Sequence, residues 1–166
     1  NNYLGKPTLY EGCKVMSTSA DLTLPEGAPE EVITQALLRP IDLTPFGFKG
    51  TLALITLDNG LDHTRPNTFG AKSLAALNDS ISAAIATAPA AIAITGKPFI
   101  FAAGADLSAL AFLSKREQSL AIGKLGHDVF RRLGEIEIPT FSFINGLALG
   151  GGLEVGLHCH YRTVAT

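Results

Sequence analysis

Cysteine is scarce in this chain, charge of either sign is sparse, and no hydrophobic run is long enough to cross a bilayer. Its 166 residues include two cysteines, Cys13 and Cys159. That pair is too far apart to suggest a disulfide framework or a zinc knuckle, and reads as two reduced thiols. Thirteen basic side chains stand against fifteen acidic ones, for a net charge of -2. No Lys/Arg run or basic surplus advertises nucleic acid or an anionic membrane. The nearest approach to a membrane span, Ile81 to Thr95, is broken by Pro89 and carries Ser82 and Thr87, short of the roughly 18 apolar residues a span needs. No basic segment followed by an apolar one opens the chain, so no signal peptide is expected. The sequon at Asn78 falls on a predicted helix and is read as coincidence. The expectation is a soluble, cytoplasmic globular protein.

What is present supports a core. Hydrophobic residues make up 46% of the chain, too many for a disordered tail. One domain of this length needs no disulfide or metal staple. Residues 1–50 read as an irregular extension punctuated by Pro25, Pro29, Pro40 and Pro45. Within it, Val32, Ile33, Ala36 and Leu37 share one face of an expected short helix from Pro29 to Leu38. Residues 51–166 are more orderly. Leu52 to Leu57 is a strand ending at the turn Asp58-Asn59-Gly60, and Leu74, Leu77, Ile81 and Ile85 line one helix face. Ala91 to Thr95 is a second strand, turned by Gly96-Lys97-Pro98. Ser114 and Glu117 form a capping box opening a long helix buried through Ile122, Leu125, Val129 and Leu133, with Gly126 and Phe130 beside them. Thr140 to Ile144, Leu153 to Cys159 and Tyr161 to Val164 read as strand, helix and strand. Alternating strands and helices predict an α/β fold with a largely parallel sheet covered on both faces.

Two glycine-bearing turns carry the chemistry. Each sits where a buried strand gives way to a helix: Phe101 to Leu107 (FAAGADL) and Asn145 to Glu154 (NGLALGGGLE). Backbone N–H groups at such helix starts attract negative charge, and two facing turns can donate to one developing oxyanion. Either turn alone is more often a tight turn. Gly146 and Gly150 do not fit the dinucleotide spacing, and neither a phosphate loop, a serine-hydrolase elbow nor a zinc-protease helix motif occurs.

Taken together the two turns resemble the paired signatures of the crotonase (enoyl-CoA hydratase/isomerase) superfamily. The phrases TLDNGLDHTRPNTFG, TGKPFIFAAGADL and GLEVGLHCHYRT more narrowly resemble the hydratase end of multifunctional fatty-acid oxidation proteins, which join a hydratase to a 3-hydroxyacyl-CoA dehydrogenase. The resemblance spans Thr51 to Thr166 and implies a crotonase-like repeated ββα superhelix, of which this is the N-terminal part. It implies an oxyanion hole for a thioester carbonyl from the N–H groups of Ala103 and Gly151, with Gly104, Ala105 and Asp106 beside the substrate. It implies Glu154 as the base that orients and deprotonates water. A first-turn glutamate can instead merely complement the helix dipole, and Asp106 more simply caps the helix that starts at Leu107. Lys97 and Arg65 are candidates for CoA phosphates, although an exposed basic loop residue is more often only solvated.

Departures from the family pattern are equally specific. Its second catalytic glutamate would fall beyond Thr166, with the helices that complete the pocket and the trimer, so a fragment or split polypeptide is expected. His160 stands where many relatives have Asp, and Asn67 where hydratases often carry a CoA-contacting Lys. His127 and His158 read as structural, and His63 as a residue able to approach substrate. No metal site is indicated. The expected activity is hydration of trans-2-enoyl-CoA to 3-hydroxyacyl-CoA, without a cofactor; NAD would enter only with a following dehydrogenase domain. Expected partners are an acyl-CoA thioester and either the rest of the polypeptide or further copies. The alternatives are an isomerase or acyl-CoA hydrolase of the same family, or a non-catalytic acyl-CoA-binding or assembly fragment.

Overall fold

The computed structural model describes residues 27, 29–110 and 116–165, the side chains of 109 and 110 excepted. The proposed capping box at Ser114 and the thiol of Cys13 lie outside the described residues.

Strands β1 (Gln35–Asp42) and β2 (Thr51–Asp58) form an antiparallel hairpin, and β2 leads into helix α1 (Ala71–Ala86). Then follow β3 (Ala91–Gly96), β4 (Phe99–Ala102), the short α2 (Leu107–Leu110), α3 (Arg116–Glu135), β5 (Thr140–Ile144), β6 (Gly146–Ala148), α4 (Gly151–His158) and β7 (Tyr161–Val164). The main sheet runs β1-β2-β3-β5-β7, and β4 pairs with β6 in a second, two-stranded sheet. All pairs except β1–β2 are parallel, because helices return the chain to the same end each time.

One face of the main sheet makes the core. Ala53, Ile55 and Leu57 alternate inward along β2 and stand in register with Ile92, Ile94 and Gly96. Over them lie Leu74, Leu77, Ile81 and Ala84 of α1 and Val129, Phe130 and Leu133 of α3. Burying each large side chain of this set stabilises the fold by roughly 1.5–3 kcal/mol. The expected stripe of α3 is thus present, with Ile122 and Leu125 only half-buried at its outer end.

Two expectations are corrected. The first is the helix from Pro29 to Leu38. Gln35 to Leu38 instead open β1, which pairs with β2 in register Ala36↔Leu57 and Leu38↔Ile55. Period two prevails over period 3.6 because Ala36 and Leu38 pack on the core while Leu37 faces out, 54% exposed. Pro40 is tolerated because β1 is an edge strand. Part of the supposedly irregular first fifty residues is therefore a strand of the main sheet. The second correction concerns coverage. Among the described residues the helices cover one face only; on the other, Leu52 and Leu54 are half-buried and Phe143 and Tyr161 are 36% and 58% exposed. A groove of about 400 Å³ lies there, lined by Leu43, Phe48, Leu52, Phe141 and Phe143 among others.

The segment before β1 also anchors α1. Glu31 reaches across 41 residues to accept the N–H of Lys72 (2.9 Å) and that of Ser73 (2.8 Å), together with the Ser73 hydroxyl (2.6 Å). Thr34, buried beside it, donates its N–H to Ser73 Oγ and its hydroxyl to the Thr68 carbonyl. Gly70 supplies no side-chain cap, and a Cβ there would lie 2.4 Å from the Glu31 carboxyl carbon. The carboxylate thus replaces the missing N-cap with charge at the positive end of the helix. Glu31→Ala should lower unfolding stability by about 1–2 kcal/mol, read as a lower denaturant midpoint at unchanged slope. A midpoint equal to that of the parent would remove this capping role.

Candidate functional site

The site is built where β4 and β6 run out. Gly146 pairs with Phe99 at one end, and Ala148 with Ala102 at the other. The Leu149 N–H continues the pairing by donating to the Ala102 carbonyl (3.0 Å). Both strands then turn, so the two glycine-bearing turns emerge side by side. Gly104 adopts φ +93°, and a Cβ there would lie 3.0 Å from the Leu149 oxygen and 3.1 Å from the Gly151 nitrogen. Only glycine lets these two backbones approach so closely.

Which amides remain free follows from the pairing of the first turn with residues 67–69. The Ala103 N–H donates to the Asn67 carbonyl (2.8 Å). The expectation that Ala103 supplies an oxyanion donor is thereby corrected: its hydrogen is already held. Phe69 bridges Ala105 in parallel fashion, donating to the Gly104 carbonyl (2.7 Å) and accepting from the Asp106 N–H (3.0 Å). In such a bridge the central residue turns its own N–H away from the partner. The Ala105 N–H has no acceptor among the described residues, and Ala105 is exposed. Nor has the N–H of Gly151, which opens α4. Among the described residues the junction leaves the N–H groups of Gly104, Ala105, Gly150 and Gly151 without an acceptor; of these, that of Ala105 is turned away from its bridge partner and that of Gly151 opens α4.

Glu154 lies in the first turn of α4, exposed, its N–H on the Gly150 carbonyl (3.0 Å) and its carboxylate without a partner among the described residues. Gly150, at φ +48°, offers no side-chain cap. Asp106 is occupied differently: it accepts the N–H (3.0 Å) and hydroxyl (2.6 Å) of Ser108, the geometry of a cap for α2.

Lys97 is corrected as a phosphate contact. It is only 4% exposed, and its ammonium is enclosed by Asn59 Oδ1 and by the carbonyls of Leu61, Asp62 and Arg65. The Arg65 side chain, by contrast, is exposed on the same loop. Asn67 is fully buried: its amide donates to the Leu57 and Phe101 carbonyls, so it is no surrogate for a CoA-contacting lysine. Sequence reasoning gave Asn67 no such role, although an asparagine following a proline in a loop is a recurrent local hydrogen-bonding signal.

The histidines divide. His63 sits edge-on to Phe99, with ring centroids 6.1 Å apart. His127 and His158 meet at 6.0 Å where α3 packs on α4. His160 accepts the Thr140 N–H at Nδ1 (3.1 Å) and returns its own N–H to Thr140 Oγ1 (2.9 Å). Burial pushes the Cys159 thiol up to about 11, so it stays protonated and unreactive near neutrality.

A mostly parallel sheet, a second small sheet and paired glycine turns with free amides define a crotonase-type fold. Residues 47–166 match the family model described as enoyl-CoA hydratase/isomerase, and the chain belongs to that family. It is 45% identical over 71 residues to the fatty acid oxidation complex subunit alpha of Shewanella frigidimarina and, equally, to that of Shewanella loihica. Those matches take in 43% of this chain and 10% of each relative. Among solved structures, an enoyl-CoA hydratase/isomerase from Xanthobacter autotrophicus Py2 superposes with a TM-score of 0.66 at 23% identity, over 78% of this chain and 45% of that one. DspI of Pseudomonas aeruginosa superposes with a TM-score of 0.61 at 29% identity, over 81% of this chain and 51% of that one. The chain therefore spans about half the length of these structures. Among the described residues, no helix is long and apolar enough to cross a membrane.

Proposed function

We infer that the chain carries the oxyanion hole and one carboxylate of an enoyl-CoA hydratase, acting on a trans-2-enoyl-CoA thioester. The observation that carries this reading is the contact of the two turns, with N–H groups at Ala105 and Gly151 and a Glu154 carboxylate, on the helix that Gly151 opens, that have no partner among the described residues. The thioester oxygen accepts both N–H groups. Electron density then leaves the C2–C3 double bond for the carbonyl, so C3 becomes open to attack. Glu154 takes a proton from water as the new O–C3 bond forms, and the developing enolate oxygen is held by the two amides. Protonation at C2 completes the addition and needs a second acid, which the resemblance puts beyond Thr166. The reaction is redox-neutral and calls for no nicotinamide. Arg65, exposed on the loop before Asn67, is available to the phosphates of CoA.

Ala105→Pro tests the hole, because it deletes that N–H. Turnover of crotonyl-CoA should fall about 10²–10³-fold, the usual effect of removing one oxyanion donor, with acyl-CoA still bound in a titration. Full turnover by that variant would show that Ala105 is not the donor. Absence of hydration by a polypeptide that also carries the second carboxylate would dismiss the hydratase reading itself.

A further inference from the structure

We propose that Lys97 is a positioning residue: its buried ammonium wraps the loop 59–66 around itself, and that loop holds the first glycine turn in the shape that leaves the Ala105 N–H free. The proposal rests on reading that turn as one wall of an oxyanion hole.

A buried ammonium is costly unless its protons are all received. Here they are received by neutral oxygens alone. Besides Asn59 Oδ1, the carbonyls of Leu61 (2.8 Å), Asp62 (2.9 Å) and Arg65 (2.8 Å) surround Nζ. Three carbonyls from one short loop converge on this ammonium, so the loop curls about it. The Lys97 backbone is itself fixed, because its N–H donates to Leu57 and its carbonyl accepts from Asn145. The curled loop is then tied to the site. Asn59 donates its N–H to Asn67 Oδ1 (3.1 Å) and its side-chain amide to the Pro66 carbonyl (2.9 Å). Asn67 in turn receives the Ala103 N–H and donates to the Phe101 carbonyl. The ammonium therefore stands at one end of a continuous chain of hydrogen bonds whose other end is the turn. Nothing in this chain requires Lys97 to touch substrate.

Removing the cation should loosen the loop and leave the helices intact. In Lys97→Met, amide hydrogen exchange at Ala103 and Phe69 should quicken at least ~10-fold, with Ile81 in α1 unchanged. Turnover of crotonyl-CoA should fall roughly 10- to 10²-fold, the scale of a small misplacement near the chemistry, while KM stays within about threefold. The same loss is expected with a crotonyl-pantetheine thioester, which has no nucleotide to bind. Ammonium chloride, but not sodium chloride, should restore Ala103 protection in Lys97→Ala. Parent-like exchange at Ala103 in Lys97→Met overturns the proposal, as does a loss confined to KM for the CoA thioester, the pattern of a phosphate contact. If the lysine variants do not fold, Asn59→Ala decides by the same measurement: faster exchange at Ala103 alone supports the proposal, and parent-like exchange overturns it. The exchange arm needs no turnover, so inactivity of a polypeptide that also carries the second carboxylate would count against the hydratase reading without deciding the role of Lys97.

Discussion

Glu154→Gln should lower the rate of enoyl-CoA hydration by at least ~10²-fold while leaving acyl-CoA binding nearly intact. General base catalysis by a positioned carboxylate contributes about 10²–10⁴-fold, and glutamine keeps the shape of the side chain while losing the base. The structure separates this chemical role from a structural one. The Glu154 carboxylate accepts no hydrogen bond among the described residues and is exposed. Its removal therefore breaks no hydrogen bond or ion pair among the described residues. What is lost structurally is the attraction between a negative charge and a helix start, about 0.3–1 kcal/mol. The two roles predict opposite pairs of results: a large fall in kcat at nearly constant melting temperature for the base, and a small fall in melting temperature at constant kcat for the dipole. Steady-state kinetics with crotonyl-CoA and a thermal melt on the same sample distinguish them. Unchanged turnover would return Glu154 to the helix dipole.

The elements that are legible in the amino-acid sequence are those whose burial has a single period. β2 alternates Ala53, Ile55 and Leu57 inward, and α1 repeats Leu74, Leu77 and Ile81; both were readable from spacing. β1 was not, because an edge strand with Pro40 and an exposed Leu37 carries a weak alternation that a helical reading of Ile33, Ala36 and Leu37 could imitate. β4 and β6, at four and three residues, are too short to show a period at all. They exist because Gly146 lets the strands meet: a Cβ there would lie 2.0 Å from the Phe99 oxygen.

The site divides in the same way. Local sequence located both turns and the helix that presents Glu154, since glycines and the strand-to-helix change are local signals. It could not say which amides of the first turn are held and which are left free. That is decided by the Asn67 carbonyl, supplied from 36 residues upstream, and by the bridge to Phe69. Lys97 illustrates the same limit. A lysine after a turn glycine reads as a solvated or phosphate-binding charge; only the folding of the loop over it converts it to a buried ammonium.

Gly152→Ala should cost more stability than any other single methyl group added to the glycines of α3 and α4. A Cβ at Gly152 would lie 2.0 Å from the Ala102 carbonyl oxygen, 2.5 Å from its carbon and 2.9 Å from the Ala102 side chain. Two of those three atoms are backbone, so no rotamer change relieves the overlap, and α4 must move bodily from β4. Overpacking of a core commonly costs about 1–3 kcal/mol where side chains can adjust; here the loss should reach or exceed the upper end, a large fraction of the roughly 5–15 kcal/mol that holds a domain together. The oxygen that would be struck also receives the Leu149 N–H, so the displacement breaks the bond that sets the two turns together and hydration should disappear with it. Two glycines provide the scale. At Gly156 the nearest atoms are Ile144 Cδ1 at 3.0 Å and Ser142 Oγ at 3.1 Å, both side-chain ends, and the gain of up to ~1 kcal/mol from replacing a helical glycine offsets their adjustment. At Gly123 nothing lies within 4 Å, and that gain should appear nearly whole. The expected order of denaturant midpoints is Gly123→Ala above the parent, Gly156→Ala close to it, and Gly152→Ala far below. A Gly152→Ala protein as stable as the Gly156→Ala protein would show that β4 and α4 are not in the close contact on which the site depends.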